Sequence, residues 1–205
     1  MNRHSEAAKR KSSGTDKRER ILSAAIKVFA KNGFYATRVS EIAQAAGVAD
    51  GTIYLYFKNK DDVLVSIFRD GIEQLLVILR DVAASDSPVQ QRISKVIELQ
   101  LGLLEDKRDL AEVITVNLRQ SSRLLKQYAT PLFAEYIDVI AGIVRDGQKE
   151  GVFRKDINPR VVARSLFGAL DAILLTWALG DADPGSLRKA SGHCASLFLE
   201  GLNTR

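Results

Sequence analysis

The sequence is poor in the residues that build most catalytic and metal centres. It has one cysteine, Cys194, and two histidines, His4 and His193. A single cysteine cannot close an internal disulfide, which fits a reducing compartment, and the expected location is the cytoplasm. His193 and Cys194 are neighbours on an apolar stretch, where a packing pair is a simpler reading than a metal site. No metal and no cofactor are expected. The sequence also lacks a P-loop, G-x-G-x-x-G, G-x-S-x-G, H-E-x-x-H and C-x-x-C, so no enzyme is expected. No segment alternates polar and apolar residues over strand length, and no internal repeat is present. Residues 1–17 have no apolar centre, which argues against a secretory leader. The most apolar stretch, Val161 to Leu179, is interrupted by Arg164 and Asp171. It reads as a buried helix of an interface, not as a membrane span, and no membrane partner is expected.

What is present is an ordinary globular composition, 46% hydrophobic and 27% charged over 205 residues, with its charge unevenly placed. Residues 1–60 carry 12 Lys/Arg against 5 Asp/Glu, and residues 61–205 carry 18 against 20. A basic head on a slightly acidic body suits a polyanionic partner at one end, although a solvated basic tail would give the same count.

The apolar spacing is helical throughout and predicts an all-α fold of about nine helices. Residues 1–15 read as a disordered basic arm. Asp16 is a candidate cap with Glu19 as its capping-box partner, and Asn32-Gly33 closes that helix. Thr37 is a second candidate cap, for a short helix ending at Gly47. Asp50 is a third, for a helix through Tyr56, and Asn59 a fourth. Asp61 and Asp62 then favour the positive end of a long helix. Further helices are expected to about Leu104 after Ser87-Pro88, over Asp109–Asn117, over Ser121–Gly147 with a break at Pro131, from Asn158-Pro159 to Leu179, and from Pro184 to Leu202.

The informative stretch runs from Val39 to Leu64: two short helices joined by the tight turn Ala46-Gly47-Val48. Such a pair forms a helix-turn-helix, whose second helix can enter the major groove of DNA. Asp50, Gly51 and Thr52 keep its start small and polar. Tyr54 and Tyr56 carry hydroxyls that can reach phosphates, or they pack inside the small domain. Lys60 stands at the N-terminus of the next helix, where charge and dipole both favour phosphate. The basic arm has two readings, a flanking minor-groove contact or a solubilising tail.

These residues resemble the DNA-binding domain of the tetracycline-repressor (TetR) family. The run Gly47-Val48-x-x-Gly51-Thr52-Ile53-Tyr54-x-Tyr56-Phe57-x-x-Lys60 carries the likeness, with Phe29-Ala30-x-x-Gly33-Phe34-x-x-Thr37 before it. The resemblance implies DNA contacts at Thr52 and Tyr54, backbone contacts at Tyr56 and Lys60, and a phosphate-crossing helix starting near Thr37 and Ser40. It implies a DNA-binding domain over 16–60 and a ligand-binding, dimerising domain over 61–205. It further implies a homodimer through the last two helices, which would set two recognition helices about one DNA turn apart.

Asp50 to Lys60, Leu118-Arg119-Gln120-Ser121, and Phe167-Gly168-x-x-Asp171 with Thr176-Trp177 are similar to the fatty-acid-degradation regulators of that family. This implies a repressor released from double-stranded operator DNA by a small-molecule effector, long-chain acyl-CoA. An acyl tunnel is expected from apolar residues that include Leu103, Phe133, Phe167, Leu170, Leu174 and Trp177. Arg119, Arg123 and Lys126, beside Gln120, would meet the coenzyme's phosphates. Taken singly, most of these leucines, and Trp177, read first as core packing residues, and the cations also read as a solvated face. Asp171, a charge within an apolar helix, needs a partner. The alternative is a sensor of another hydrophobic molecule, a multidrug sensor included. Aromatics at 7% argue mildly against that.

Overall fold

The computed structural model describes residues 3–120, 130–181, 183 and 185–204. Among them stand nine helices: α1 (Arg3–Asn32), α2 (Val39–Ala46), α3 (Asp50–Ile53), α4 (Lys60–Ala84), α5 (Val89–Gly102), α6 (Arg108–Glu112), α7 (Thr130–Lys149), α8 (Pro159–Leu179) and α9 (Ser186–Leu202). The all-α expectation holds, and the only strand-like feature among the described residues is a bridge between Phe153 and Asn203.

Helix α1 begins at Arg3, so the stretch expected as a disordered arm has helical backbone and Asp16 caps nothing. Residues 6–11 are Glu, Ala, Ala, Lys, Arg and Lys, all good helix formers, with no proline to stop propagation. The cap of α2 also differs from expectation. It is Arg38, whose amide donates to Glu41 Oε2 at 2.7 Å, while Thr37 turns inward and donates to the Gly33 carbonyl at 2.7 Å. Helix α3 is only four residues long, and Ala49, not Asp50, stands at its N-cap. Asn59 does cap α4, accepting from the Asp62 amide at 2.9 Å, and Asn158 caps α8, accepting from Arg160 at 2.9 Å. Pro131 lies in α7 next to the first described residue of that helix; the expected helix over 121–129 lies outside the described residues.

Between α2 and α3 the chain turns at Gly47, φ 65°, a left-handed conformation that glycine adopts without strain. Arg20 holds this turn by donating to the Ala46 carbonyl at 2.8 Å. The head packs on Ile21, Phe29, Ile42, Ile53 and Phe57, all buried. Each such side chain contributes about 1.5–3 kcal/mol relative to exposure.

Helices α1 and α4 run antiparallel. Lys60 at the start of α4 meets the end of α1, and ten residues on, Asp70 receives both guanidinium nitrogens of Arg18, at 2.7 and 3.1 Å. That pairing holds the Arg18 guanidinium above its ordinary pKa. Helix α4 therefore belongs to both halves. Beyond the head it packs on α5 and α7, α7 lies along α8, and α9 lies along α5. Helix α6 touches both α1 and α8, which makes it a second bridge between the halves. Gly147 in α7 is required by packing, because a Cβ there would stand 2.2 Å from the buried Phe153 ring. Helix α8 is long and apolar enough to cross a membrane by length and composition, but Val162, Leu166, Leu170 and Leu174 on it are buried in the protein's core.

Candidate DNA-binding surface and effector cavity

The recognition face is built by the short turn at Gly47 and by the brevity of α3. Ser40, Asp50, Gly51 and Tyr54 are exposed, Tyr54 by 58%, and Thr52 is half-buried. Tyr56 is half-buried against Phe57, so both readings of that residue, packing and contact, share it. Arg38, Lys58, Tyr35 and Leu55 are also exposed on the helix-turn-helix segment. Sequence reasoning passed over these four, although the two cations flanking the motif were a usable signal.

Two expected contacts change role. Thr37 is buried and its hydroxyl is engaged by Gly33, so it shapes the loop before α2. Lys60 points back into the protein. Its ammonium donates to the carbonyls of Phe34 at 2.7 Å, Tyr35 at 3.1 Å and Thr37 at 2.8 Å, and stands 4.7 Å above the Phe34 ring. Three acceptors use all three donors of an ammonium. Lys60 is thus the clamp of the α1–α2 loop, and that loop sets where α2 begins. Its acceptors are carbonyls 23 to 26 residues upstream, which carry no sequence signature.

In the body, an apolar cavity of about 160 Å³ lies between α4, α5, α6, α7 and α8. Of the residues expected at an effector site, Leu103, Phe133, Phe167, Asp171 and Leu174 line it. Leu170 is buried outside its wall, and Trp177 lies against Arg108, whose guanidinium is 5.9 Å from the indole centre. Arg123 and Lys126 lie outside the described residues, as does the side chain of Gln120. Arg119 does not line the cavity but pairs with Asp171, which answers the need for a partner to that buried-side carboxylate.

The wall that sequence reasoning missed is α4. Phe68, Gly71, Ile72, Leu75 and Ile78 face the cavity, together with Lys107, a cation at its edge. The chain beyond α6 supplies Ile114 and Thr115 from a π-helical stretch, Val113–Asn117. Such wide turns recur at functional sites, and this one precedes the turn that presents Arg119 to Asp171. Two buried polar side chains of the wall, Tyr136 and Thr115, are paired within the protein. The buried Tyr136 hydroxyl donates to Gln100 Oε1, and burial raises its pKa. Thr115 donates to the Ala111 carbonyl at 2.7 Å.

A helix-turn-helix head joined through α4, and bridged again by α6, to an all-helical body with an apolar cavity between its helices defines a one-component DNA-binding regulator. The chain belongs to the TetR family of bacterial regulatory proteins: that family's sequence pattern matches residues 21–67, and the C-terminal region of YsiA-like proteins matches residues 68–201. It is 34% identical over 185 residues to the fatty acid metabolism regulator protein of Bacillus subtilis, covering 90% of this chain and 95% of that protein. Among solved structures it resembles the B. subtilis transcriptional regulator FadR in complex with stearoyl-CoA. There the TM-score is 0.82 at 33% identity, over 89% of this chain and 98% of that one. The fatty acid degradation regulator FadR of Bacillus halodurans gives a TM-score of 0.81 at 31% identity, over 90% and 99% of the two chains.

Proposed function

We propose that this protein represses fatty-acid-degradation genes and is released from double-stranded operator DNA by long-chain acyl-CoA. The observation that carries the reading is that α4 both leads out of the helix-turn-helix and walls the cavity. A ligand in that cavity touches the helix that sets the position of the recognition surface. Ligand that prefers the misspaced conformation lowers operator affinity by its differential affinity for the two states, typically about 1–3 kcal/mol of coupling. The relative solved with stearoyl-CoA supports this class of effector.

The division of labour follows. Residues 16–60 read DNA through Ser40, Asp50, Gly51, Thr52, Tyr54 and Tyr56, and 61–205 hold effector and partner copy, with α4 shared. Among the described residues, Lys107 lines the cavity and Arg119 pairs with the lining Asp171, which makes them candidate cations for the coenzyme's phosphates, because a guanidinium has five donors. The protein acts by binding and not by catalysis, in the cytoplasm where its operator is. Val161 and Leu179 on α8 and Leu197 on α9 are exposed apolar residues that suit a homodimer through those two helices. The aromatic rings in the wall favour one competing effector class, an aromatic hydrophobic molecule.

A gel-shift titration with the protein's own promoter decides between them. Stearoyl-CoA is expected to release the DNA in a saturable manner. Undiminished binding in saturating stearoyl-CoA, with release by an aromatic compound, would overturn the acyl-CoA reading.

A further inference from the structure

The cavity is smaller than the effector class proposed for it. Its volume of about 160 Å³ is close to the roughly 150 Å³ of an engineered apolar cavity that holds a benzene ring. A long acyl chain therefore needs the wall to give way. Close-packed interiors do not give way evenly, so the response falls on the groups least tied down.

Four rings stand in a row in that wall. Tyr136 and Phe167 have centroids 5.4 Å apart, Phe167 and Phe133 5.0 Å, and Phe133 and Phe68 5.4 Å. The two ends of the row differ. Tyr136 is fully buried and fixed by its hydrogen bond to Gln100. Phe68 projects from α4, and three residues on, Gly71 leaves the wall bare, with nothing within 4 Å of where its Cβ would be. Phe133 stands between the ends and is only partly buried.

We propose that this ring row is the chain-length gauge of the effector site. Short acyl chains lie in the space beside Gly71 and leave the row intact. Longer ones displace Phe133, and with it Phe68, against Tyr136, the one ring of the row held by a hydrogen bond. Because Phe68 belongs to α4, the displacement that admits a long chain is also the one that moves the head. The inference rests on the acyl-CoA reading above and adds to it the residues that select length.

The test is isothermal titration of the full-length protein with octanoyl-, lauroyl-, palmitoyl- and stearoyl-CoA, for wild type, Phe133→Trp and Phe133→Ala. Phe133→Trp is expected to weaken stearoyl-CoA about tenfold or more while octanoyl-CoA changes little, since overpacking is felt only by the chain that must pass it. Phe133→Ala is expected to raise the preference for stearoyl-CoA over octanoyl-CoA about tenfold, by removing the obstacle. General damage to the fold would weaken every chain length alike, so the ratio isolates the gauge. If both variants keep the wild-type ratio within about twofold, the gauge is wrong although acyl-CoA binds. If wild type binds no acyl-CoA, the functional reading fails and this inference with it.

Discussion

The head and the body of this protein meet opposite packing demands. The head fixes its backbone from every side: Lys60 holds three carbonyls of the α1–α2 loop, Arg20 holds the turn at Ala46, and Glu41 closes the start of α2. The body leaves an apolar hole between five helices and lines it with rings. A surface that must match DNA gains from rigidity, because any freedom must be lost on binding. A sensor gains from a wall that has two arrangements, because ligand can only shift an equilibrium between states it distinguishes. Helix α4 belongs to both regimes, and this is the physical content of the proposed coupling.

Substitutions that strike one regime alone break the comparison most sharply. Gly71→Leu fills the cavity from the α4 side. Stearoyl-CoA affinity is expected to fall about 100-fold or more by titration calorimetry, with operator affinity nearly unchanged. A leucine also favours the helix by up to about 1 kcal/mol over glycine, so melting should not fall. Gly147→Ala strikes the body's packing away from the cavity, driving a methyl into the Phe153 ring. It is expected to lower stability by about 1–3 kcal/mol in thermal melts, with operator specificity kept.

Lys60→Met removes the clamp and leaves three carbonyls, two of them partly buried, without their charged donor. A loss of about 1–2 kcal/mol in stability is expected, together with weaker operator binding. The slope of affinity against salt distinguishes the roles: a direct phosphate contact would lower it by about one, and a clamp leaves it nearly unchanged. The smallest effect is expected at Asp156. Arg154 donates to it at 2.8 Å and holds its carboxyl below the ordinary pKa. A depressed folded pKa stabilises above the ordinary carboxylate range, and the contribution is lost as pH falls through the depressed value. Asp156→Asn should therefore melt slightly lower than wild type at neutral pH and match it in acid.

The same two regimes explain what could be read from the sequence. The head was legible because its turn needs a glycine at one place and its recognition helix needs small residues at its start, so the motif is local and dense. Lys60 was located but misassigned, since the position of a lysine does not reveal that its acceptors are distant carbonyls. Thr37 failed as a cap for the same reason: its hydroxyl had a closer acceptor at Gly33. In the body, half of the Arg119–Asp171 pair was legible, because a carboxylate in an apolar helix demanded a partner, though not which one. The α4 wall was not, because helical periodicity tells which residues are inside but not whether they meet neighbours or a cavity. The π-helical stretch at Val113–Asn117 has no turn or cap residue to announce it.

The central claim is that effector acts on the head through α4. Hydrogen exchange on the operator-bound protein, with and without stearoyl-CoA, tests it directly. Amides of α4 between Phe68 and Ile78 are expected to change protection as DNA is released, together with those of α2 and α3. Release of DNA with α4 unchanged, or no change anywhere in saturating stearoyl-CoA, would contradict it.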